Sequence, residues 1–540
     1  MSGLASRHAP EPGLEERCTT CLIHPGSPLP EGVGADILGV KAWNLARMAS
    51  LDLPVPPAFV LGTGWCERAA ELATAHWQPA LARLERLTAL RLGDPRHPLL
   101  VSVRSGAPVS MPGMMETLLN IGLTDSTLPG FIRVSGHPRL AWDAYRRLIG
   151  GYGEVVAGID ARHFEADLDE VRGGQDERSL DFAALRTLAA RHLETYRREA
   201  GEAFPQDAGV QLEQAIKAVF ASWHADKARK YRSLHGLSDR MGTAVTVQRM
   251  VFGNGGGLSG AGVGFSRDPS SGEPHPWVDF LFNAQGEDVV SGRRSVLGHD
   301  QLAAVAPQVW QSLLHAIGTL ERAFGDMQDF EFTVQDGQLF LLQTRDGKRT
   351  PLATARIALD LHDEGLITAE EAVERTRDLD AQALAQHGIA ADDDAGLVLL
   401  GRAPTAASGV ACGEIVLDEA AANARHAAGT PCILVRQDAE TRDITALDLA
   451  EGLLTQRGAR TSHAAVVARH LGKVCLVGCE ALQIDAPSHS IRLHDRTFRE
   501  GDYLTLDGNE GVIYAGRARV VTTVPQALLD RLERLRRQVA

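Results

Sequence analysis

Cysteine is scarce in this chain, and its count is odd: seven in 540 residues. A disulfide framework of the kind that staples small secreted domains is therefore not expected. Long apolar runs are missing too. No stretch approaches the roughly 18 residues of a membrane-spanning helix, and the N-terminus carries no apolar signal-peptide core. The expected location is the cytoplasm. Positive charge is in deficit, with 55 Lys and Arg against 69 Asp and Glu and a formal net charge of −14. That argues against nucleic acid and anionic membrane as broad partners, yet leaves room for a local Arg/Lys cluster on an anion such as ATP. The Walker A pattern is absent as well, so any nucleotide site must be of another kind.

What is present is a chain long enough for several domains, 44% hydrophobic and 23% charged, as in ordinary globular proteins. Residues 1–30, rich in Pro, Gly and charge, are expected to form an irregular extension. Cys18 and Cys21, with His24 nearby, could be half of a zinc site; without a second pair, an irregular arm is the preferred reading. Residues 31–349 mix short apolar strands with helical patterns, including a mostly helical insertion at about 138–235. Phe330–Val334 and Gln338–Gln343 flank a Gln-Asp-Gly hairpin signal. Residues 350–399 read as a helical connector, 400–517 as a second mixed module, and 518–540 as an amphipathic basic helix. Its Leu528, Leu529, Leu532 and Leu535 could dock a partner or pack on the chain itself.

The most informative segment is Thr455-Gln-Arg-Gly-Ala-Arg-Thr-Ser-His-Ala-Ala-Val-Val-Ala-Arg469. A strand, Gly452–Thr455, runs into a Gly-containing loop, and His463 falls in the first turn of a helix that Thr461 or Ser462 can cap and Gly472 can end. The positive end of a helix disfavours imidazolium, keeps a ring nitrogen nucleophilic and then accommodates a phosphoryl group.

Other constellations are weaker alone. In Met327-Gln-Asp-Phe-Glu-Phe332, strand alternation puts Asp329 and Glu331 on one face. Paired carboxylates suit Mg²⁺ bridging nucleotide phosphates, although a solvated strand face has the same pattern. Gln343 and Arg345 repeat the spacing on the paired strand. Arg104 ends a strand before a small-residue loop and suits bidentate phosphate binding. Ser110-Met-Pro-Gly-Met-Met115 could be a lid or core filler. Lys41 starts a helix. Gly255-Gly-Gly257-Leu-Ser-Gly260 satisfies the dinucleotide fingerprint, but strand-like text follows it, which disfavours that fold.

Five strings, VSVRSGAPVSMPGMMETLLNIGL, GTAVTVQRMVFGN, NAQGEDVVSG, MQDFEFTVQDGQLFLLQTRDGKRT and TSHAAVVARHLGK, resemble the pyruvate phosphate dikinase family in order and spacing from about Ile37 to Ala518. The resemblance implies a multidomain α/β and α+β fold, with an ATP-grasp nucleotide-binding region followed by a swivelling phosphohistidine domain. It implies that Lys41 and Arg104 contact ATP phosphates and that Gln248 and Met250 lie by the adenine. Glu287 would line the cleft, and Asp329 and Glu331 would hold Mg²⁺. Gln343 and Arg345 would complete the site, and His463 would carry the phosphoryl group. The implied substrates are ATP and inorganic phosphate.

Three departures qualify the resemblance. The chain ends where the family continues into a phosphoenolpyruvate/pyruvate barrel, so a separate barrel protein is the expected partner; homo-oligomerisation is left open. The family's Gly-Gly-Lys-Gly reads Gly39-Val-Lys-Ala42, and its Gly-Gly-Met before Thr-Ser-His reads Gly458-Ala-Arg460. Arg460 could pair with the phosphohistidine or with a carboxylate-rich cleft, or slow docking. The leading expectation is an ATP-dependent histidine autokinase that feeds pyruvate through the barrel. A different acceptor, or a non-catalytic nucleotide-binding paralogue, are the alternatives.

Overall fold

Runs such as Ala58-Phe-Val-Leu61 and Ala244-Val-Thr-Val-Gln-Arg249 are rich in β-branched or apolar residues, and they form part of the sheet around which the first half of the chain is built. The computed structural model describes residues 13–109, 111, 114–290, 297–390, 397–438, 443–458, 460 and 463–539; the side chains of 178, 287, 290, 297–299, 463, 464, 466 and 470 lie outside it. The chain clusters into two units, Met1–Gly256 with Phe340–Gln343, and Gly257–Leu339 with Thr344–Ala540.

In the first unit β1 (Thr20–Ile23), β2 (Ala58–Leu61), β3 (Val101–Gly106), β4 (Thr117–Ile121) and β5 (Ala244–Arg249) make an antiparallel sheet in the order β1-β2-β5-β3-β4. Alternation sends Val101, Val103, Val245 and Val247 to one face. There they pack with Tyr145, Tyr152, Leu212 and Phe220 from the helices Pro138–Val155 and Ala208–Ser222. Between β4 and β5 the chain is mostly helical, and it also includes Leu128–Ser135, Ala161–Arg172, Phe182–Ala200 and Asp226–Leu234.

The expectation of an irregular arm is corrected for its described part. Thr20–Ile23 is the edge strand of this sheet, paired with β2, and Ile23 is buried. The Pro and Gly residues that suggested disorder flank the strand rather than interrupt it. Cys18 and Cys21 are free, half-buried thiols, and no group of three metal-ligating side chains occurs among the described residues.

A second sheet is made of β6 (Gly260–Phe265), β7 (Trp277–Phe282), β8 (Leu297–Gly298), β9 (Gln328–Gln335) and β10 (Gln338–Asp346), in the order β10-β9-β6-β7-β8; all of it clusters in the second unit except Phe340–Gln343 of β10. The glycines of β6 are a packing requirement. A Cβ at Gly262 would lie 2.4 Å from the Phe332 ring, and one at Gly264 would lie 2.8 Å from Phe330. The β9–β10 hairpin turns at Asp336 and Gly337, both at positive φ (52° and 78°), as the Asp-Gly signal predicts.

Beyond β10, helices Pro351–Asp363 and Ala369–Arg375 lead to the strand Gln386–Ile389, which pairs antiparallel with Val520–Thr523. Between those strands lies an eight-stranded sheet. Its parallel centre, Val410–Val416, Cys432–Arg436, Gly452–Thr455 and Val474–Leu476, is crossed by the helices Glu419–Ala427, Ile444–Leu449 and His463–His470. Cys475 lies on the strand Val474–Leu476 and Cys479 just beyond it, both buried. The terminal helix Gln526–Val539 resolves the choice left by its sequence. Leu528, Leu532 and Leu535 are buried against the two connector helices, and Arg531 pairs with Asp360 (2.8 Å) and Asp363 (2.9 Å). No helix among the described residues is long and apolar enough to cross a membrane.

Candidate functional site

The helix Ala35–Ser50 is broken at Gly39 (φ 73°, ψ 151°). A Cβ there would sit 1.9 Å from the Gly106 carbonyl oxygen, and the Val40 N–H donates to Ala107 O at 2.9 Å. Only glycine allows this approach. The second helical segment therefore starts against the end of β3, with exposed Lys41 in its first turn and its Cβ 3.8 Å from where a side chain on Gly106 would begin. Arg104, half-buried in β3, pairs in register with Thr246, and Ser102 pairs with Gln248. Arg104 and Gln248 thus share the face opposite the valine core. Gln248 is buried and donates to Pro56 O at 3.0 Å, while the half-buried Met250 follows β5 and donates its N–H to Leu100 O at 2.9 Å.

Val40 and Ala42, where the sequence departs from the resembled pattern, are helical positions; the one left-handed residue is still glycine. Of the segment Ser110–Met115, which could be a lid or core filler, Met111 is buried, Met114 and Met115 pack on the core, and residues 110, 112 and 113 lie outside the described set.

Register defines the chemistry of the second sheet. Two rows cross the same face of β7, β6 and β9: Trp277–Phe265–Asp329 and Asp279–Val263–Glu331. Asp329 is 8% exposed, and Arg345 Nε donates to its Oδ2 at 2.8 Å. Burial pushes the Asp329 carboxyl above its ordinary value despite the opposing pull of Arg345. Burial also works against the charge on Arg345, but Asp329 and Glu331 outweigh it and raise the guanidinium. Gln343 is buried in β10, two residues before Arg345. Glu287 lies in the helix Gly286–Val290, whose Val289 packs on Ala261, Val263 and Leu281 of this same face; its side chain lies outside the described residues.

The histidine-bearing helix is seated on this face. His463 opens the helix His463–His470 immediately after the Gly452–Thr455 strand and its loop, although its side chain and residues 459, 461 and 462 lie outside the described set. Arg469 of that helix is 3% exposed, with its guanidinium carbon 5.0 Å from the Phe265 ring centroid and 5.2 Å from that of Trp277. Burial lowers it to about 10, against the attraction of Cys475 and then of Asp329, Asp268 and Asp279. Its Nη1 is buried without a hydrogen-bond partner. Arg460 donates to Asp279 Oδ1 from Nε (3.1 Å) and Nη2 (3.0 Å) and lies 4.6 Å from the Trp277 centroid. Of the partners its sequence suggested, a carboxylate is the one observed. Trp277, Asp279 and Arg469 escape a reading of motifs. The available signal was a carboxylate in the otherwise apolar strand Trp277–Phe282.

Residues 78–310 match the pyruvate phosphate dikinase AMP/ATP-binding domain, and residues 429–511 match the mobile domain of PEP-utilising enzymes. Two stretches of the chain thus match a nucleotide-binding domain and a mobile domain of that class. It is 43% identical over 495 residues to the pyruvate, phosphate dikinase of Clostridium symbiosum, covering 89% of this chain and 56% of that protein. It is 40% identical to the chloroplastic enzyme of Flaveria pringlei (92% of this chain, 53% of that one) and to the Rhizobium meliloti enzyme (89% and 56%). By these matches the chain is similar to the nucleotide-binding and mobile-domain part of pyruvate phosphate dikinases, and it spans just over half the length of these relatives.

Proposed function

We propose that this chain is a phosphotransferase that uses ATP to phosphorylate its own His463. The observation that carries the reading is the seating of the His463–His470 helix on the sheet face that holds Asp329 and Glu331. In this reading residues 31–349 are the ATP-grasp region and 350–399 the connector. Residues 400–517 are the swivelling phosphohistidine domain, and 518–540 a C-terminal segment in which the strand Val520–Thr523 precedes the helix Gln526–Val539. A histidine ring nitrogen attacks the β-phosphorus of ATP, an N–P bond forms, the α–β bridging bond breaks and AMP leaves. Inorganic phosphate then attacks the γ-phosphorus and departs with it as pyrophosphate, leaving phosphohistidine. The phosphoryl group passes to pyruvate at a phosphoenolpyruvate/pyruvate site outside these 540 residues.

Lys41 and Arg104 would contact the ATP phosphates, Gln248 and Met250 the adenine side, and Glu287 and Arg345 the remaining lining. The residues present fit Mg²⁺: Asp329 and Glu331 are hard oxygen donors on one face, and two carboxylates suit an ion that keeps waters and shares substrate phosphates. Asp329, Glu331 and Gln343 would hold it, and it would neutralise phosphate charge. The orphan Nη1 of Arg469 is a further donor on that face; a buried donor left unpaired costs about 1–3 kcal/mol, which an anion would relieve.

The test is incubation of the full chain with Mg²⁺ and ATP labelled separately at the β- and γ-phosphates. Acid-labile, base-stable label from the β-position, absent in His463→Ala, is expected. Label retained in that variant, or label from the γ-position alone, would overturn the mechanism.

A further inference from the structure

The candidate site leaves one ion pair without a role, and it lies three residues from the proposed phosphoryl carrier. Asp279 sits in β7 with its side chain only 2% exposed, in the row Asp279–Val263–Glu331. A carboxylate so far from water needs a cation beside it. Arg460 supplies one from the loop that leads into the His463–His470 helix, with two donors on one oxygen. Its guanidinium also lies over Trp277, two residues along β7. Arg469 approaches the same ring from the helix and donates from Nη2 to the Arg460 carbonyl at 2.9 Å. Two guanidiniums on one indole, one bonded to the backbone of the other, tie both ends of the histidine segment to β7.

We propose that Arg460 is a positioning residue, a clamp that holds the His463 helix on the carboxylate-bearing sheet face through Asp279 and Trp277. The clamp is specific in its chemistry. Arginine satisfies a carboxylate through a planar fork while stacking on an aromatic ring, which neither lysine nor an unbranched neutral chain does. Release of the helix from this face leaves Asp279 without that cation and Trp277 without its stacked partner, so the docked arrangement is favoured. The catalytic consequence rests on the phosphohistidine reading: the phosphorylated segment is slow to leave the nucleotide-side face, and docking is the state the resting protein prefers. The clamp itself does not depend on that reading.

Fluorine NMR of the full chain labelled with 5-fluorotryptophan tests it. The chain holds seven tryptophans, and Trp277→Phe assigns the relevant line. Wild type is expected to give one dominant Trp277 resonance. Arg460→Met and Asp279→Asn should each raise a second, solvent-like Trp277 line at least tenfold in population, Arg460→Lys should do so less, and the exchange Arg460→Asp with Asp279→Arg should bring the first line back. Asp279→Asn reads the pair from the other side should Arg460→Met fail to fold. An unchanged Trp277 line in variants that keep the other six resonances would overturn the clamp. A second measurement follows the loss of phosphoryl label to hydroxylamine, expected to be several-fold faster in Arg460→Met than in wild type. Equal rates would overturn the kinetic consequence. Failure of wild type to take up label would count against the autokinase reading, and failure of Arg460→Met alone would overturn the kinetic consequence, while the fluorine spectrum still decides the clamp.

Discussion

Gly39 shows how one backbone angle sets the geometry around Lys41. Its positive φ and its approach to Gly106 leave no room for a side chain, so Gly39→Ala must push the helix start away from β3. We expect a loss above about 4 kcal/mol, in the range reserved for steric conflict at a special backbone position, read by urea denaturation. Gly151 is the matched control. It lies inside the helix Pro138–Val155 with open space around its Cβ position, and Gly151→Ala should be neutral or stabilise by up to about 1 kcal/mol. A single sequence marks both residues only as glycine. The difference lies in β3, which is more than sixty positions further along the chain from Gly39. His192 makes a second residue-scale case. Burial lowers its pKa, and its Nε2 has no partner. A histidine depressed in the folded state binds fewer protons there than when unfolded, so stability is present above its unfolded value and is lost as pH falls through it. The melting temperature of wild type should therefore drop more steeply between pH 7 and pH 5 than that of His192→Gln; parallel slopes would remove His192 as a contributor.

At the scale of elements, periodicity was the readable signal wherever a strand had one buried and one chemical face. Asp329 and Glu331 could be placed together from alternation alone, and the Asp-Gly turn after them fixed the hairpin. What alternation could not say is what lies across that face. The rows joining Asp329 to Trp277 and Glu331 to Asp279 depend on the register of three strands and on β6 glycines that admit the rings of Phe330 and Phe332. The edge strand Thr20–Ile23 was hidden for a similar reason, because four residues among Pro and Gly carry too little pattern to reveal a pairing partner. The terminal helix was legible as amphipathic but silent about its neighbour. Its place on the connector gives a direct expectation. Leu532, 1% exposed, anchors it, so Leu532→Ala should cost about 2–5 kcal/mol of local stability. Amide exchange should quicken in Pro351–Asp363 and Ala369–Arg375 as well as in the terminal helix. Exchange confined to the terminal helix would mean that the connector stands without it.

For the whole molecule, the proposed use of a polyanion by a chain with a deficit of positive charge puts the weight on local groups. In the proposed reading, ATP with its negative charges would meet a chain of net −14, so its binding would depend on local groups and on Mg²⁺ rather than on long-range attraction. Ligand that binds only the folded state stabilises it by about 2.7 kcal/mol at a hundred times its dissociation constant. Thermal melts with Mg²⁺ and ATP should therefore show a clear upward shift in wild type, reduced by more than half in Arg104→Ala and, separately, in Asp329→Asn. A full shift in either variant would take that residue out of the site. The Asp329 carboxyl adds a pH test with a definite sign. Because burial holds its pKa above the ordinary carboxylate value, protons compete for it at a higher pH than for an exposed aspartate. Mg²⁺-dependent stabilisation should fade as pH drops through that raised value, and Asp329→Asn, which cannot titrate, should lose this part of the pH dependence along with most of the shift. If the wild-type shift is the same down to the ordinary carboxylate range, Asp329 does not ionise to bind the metal, and the carboxylate face serves only to seat the histidine-bearing helix.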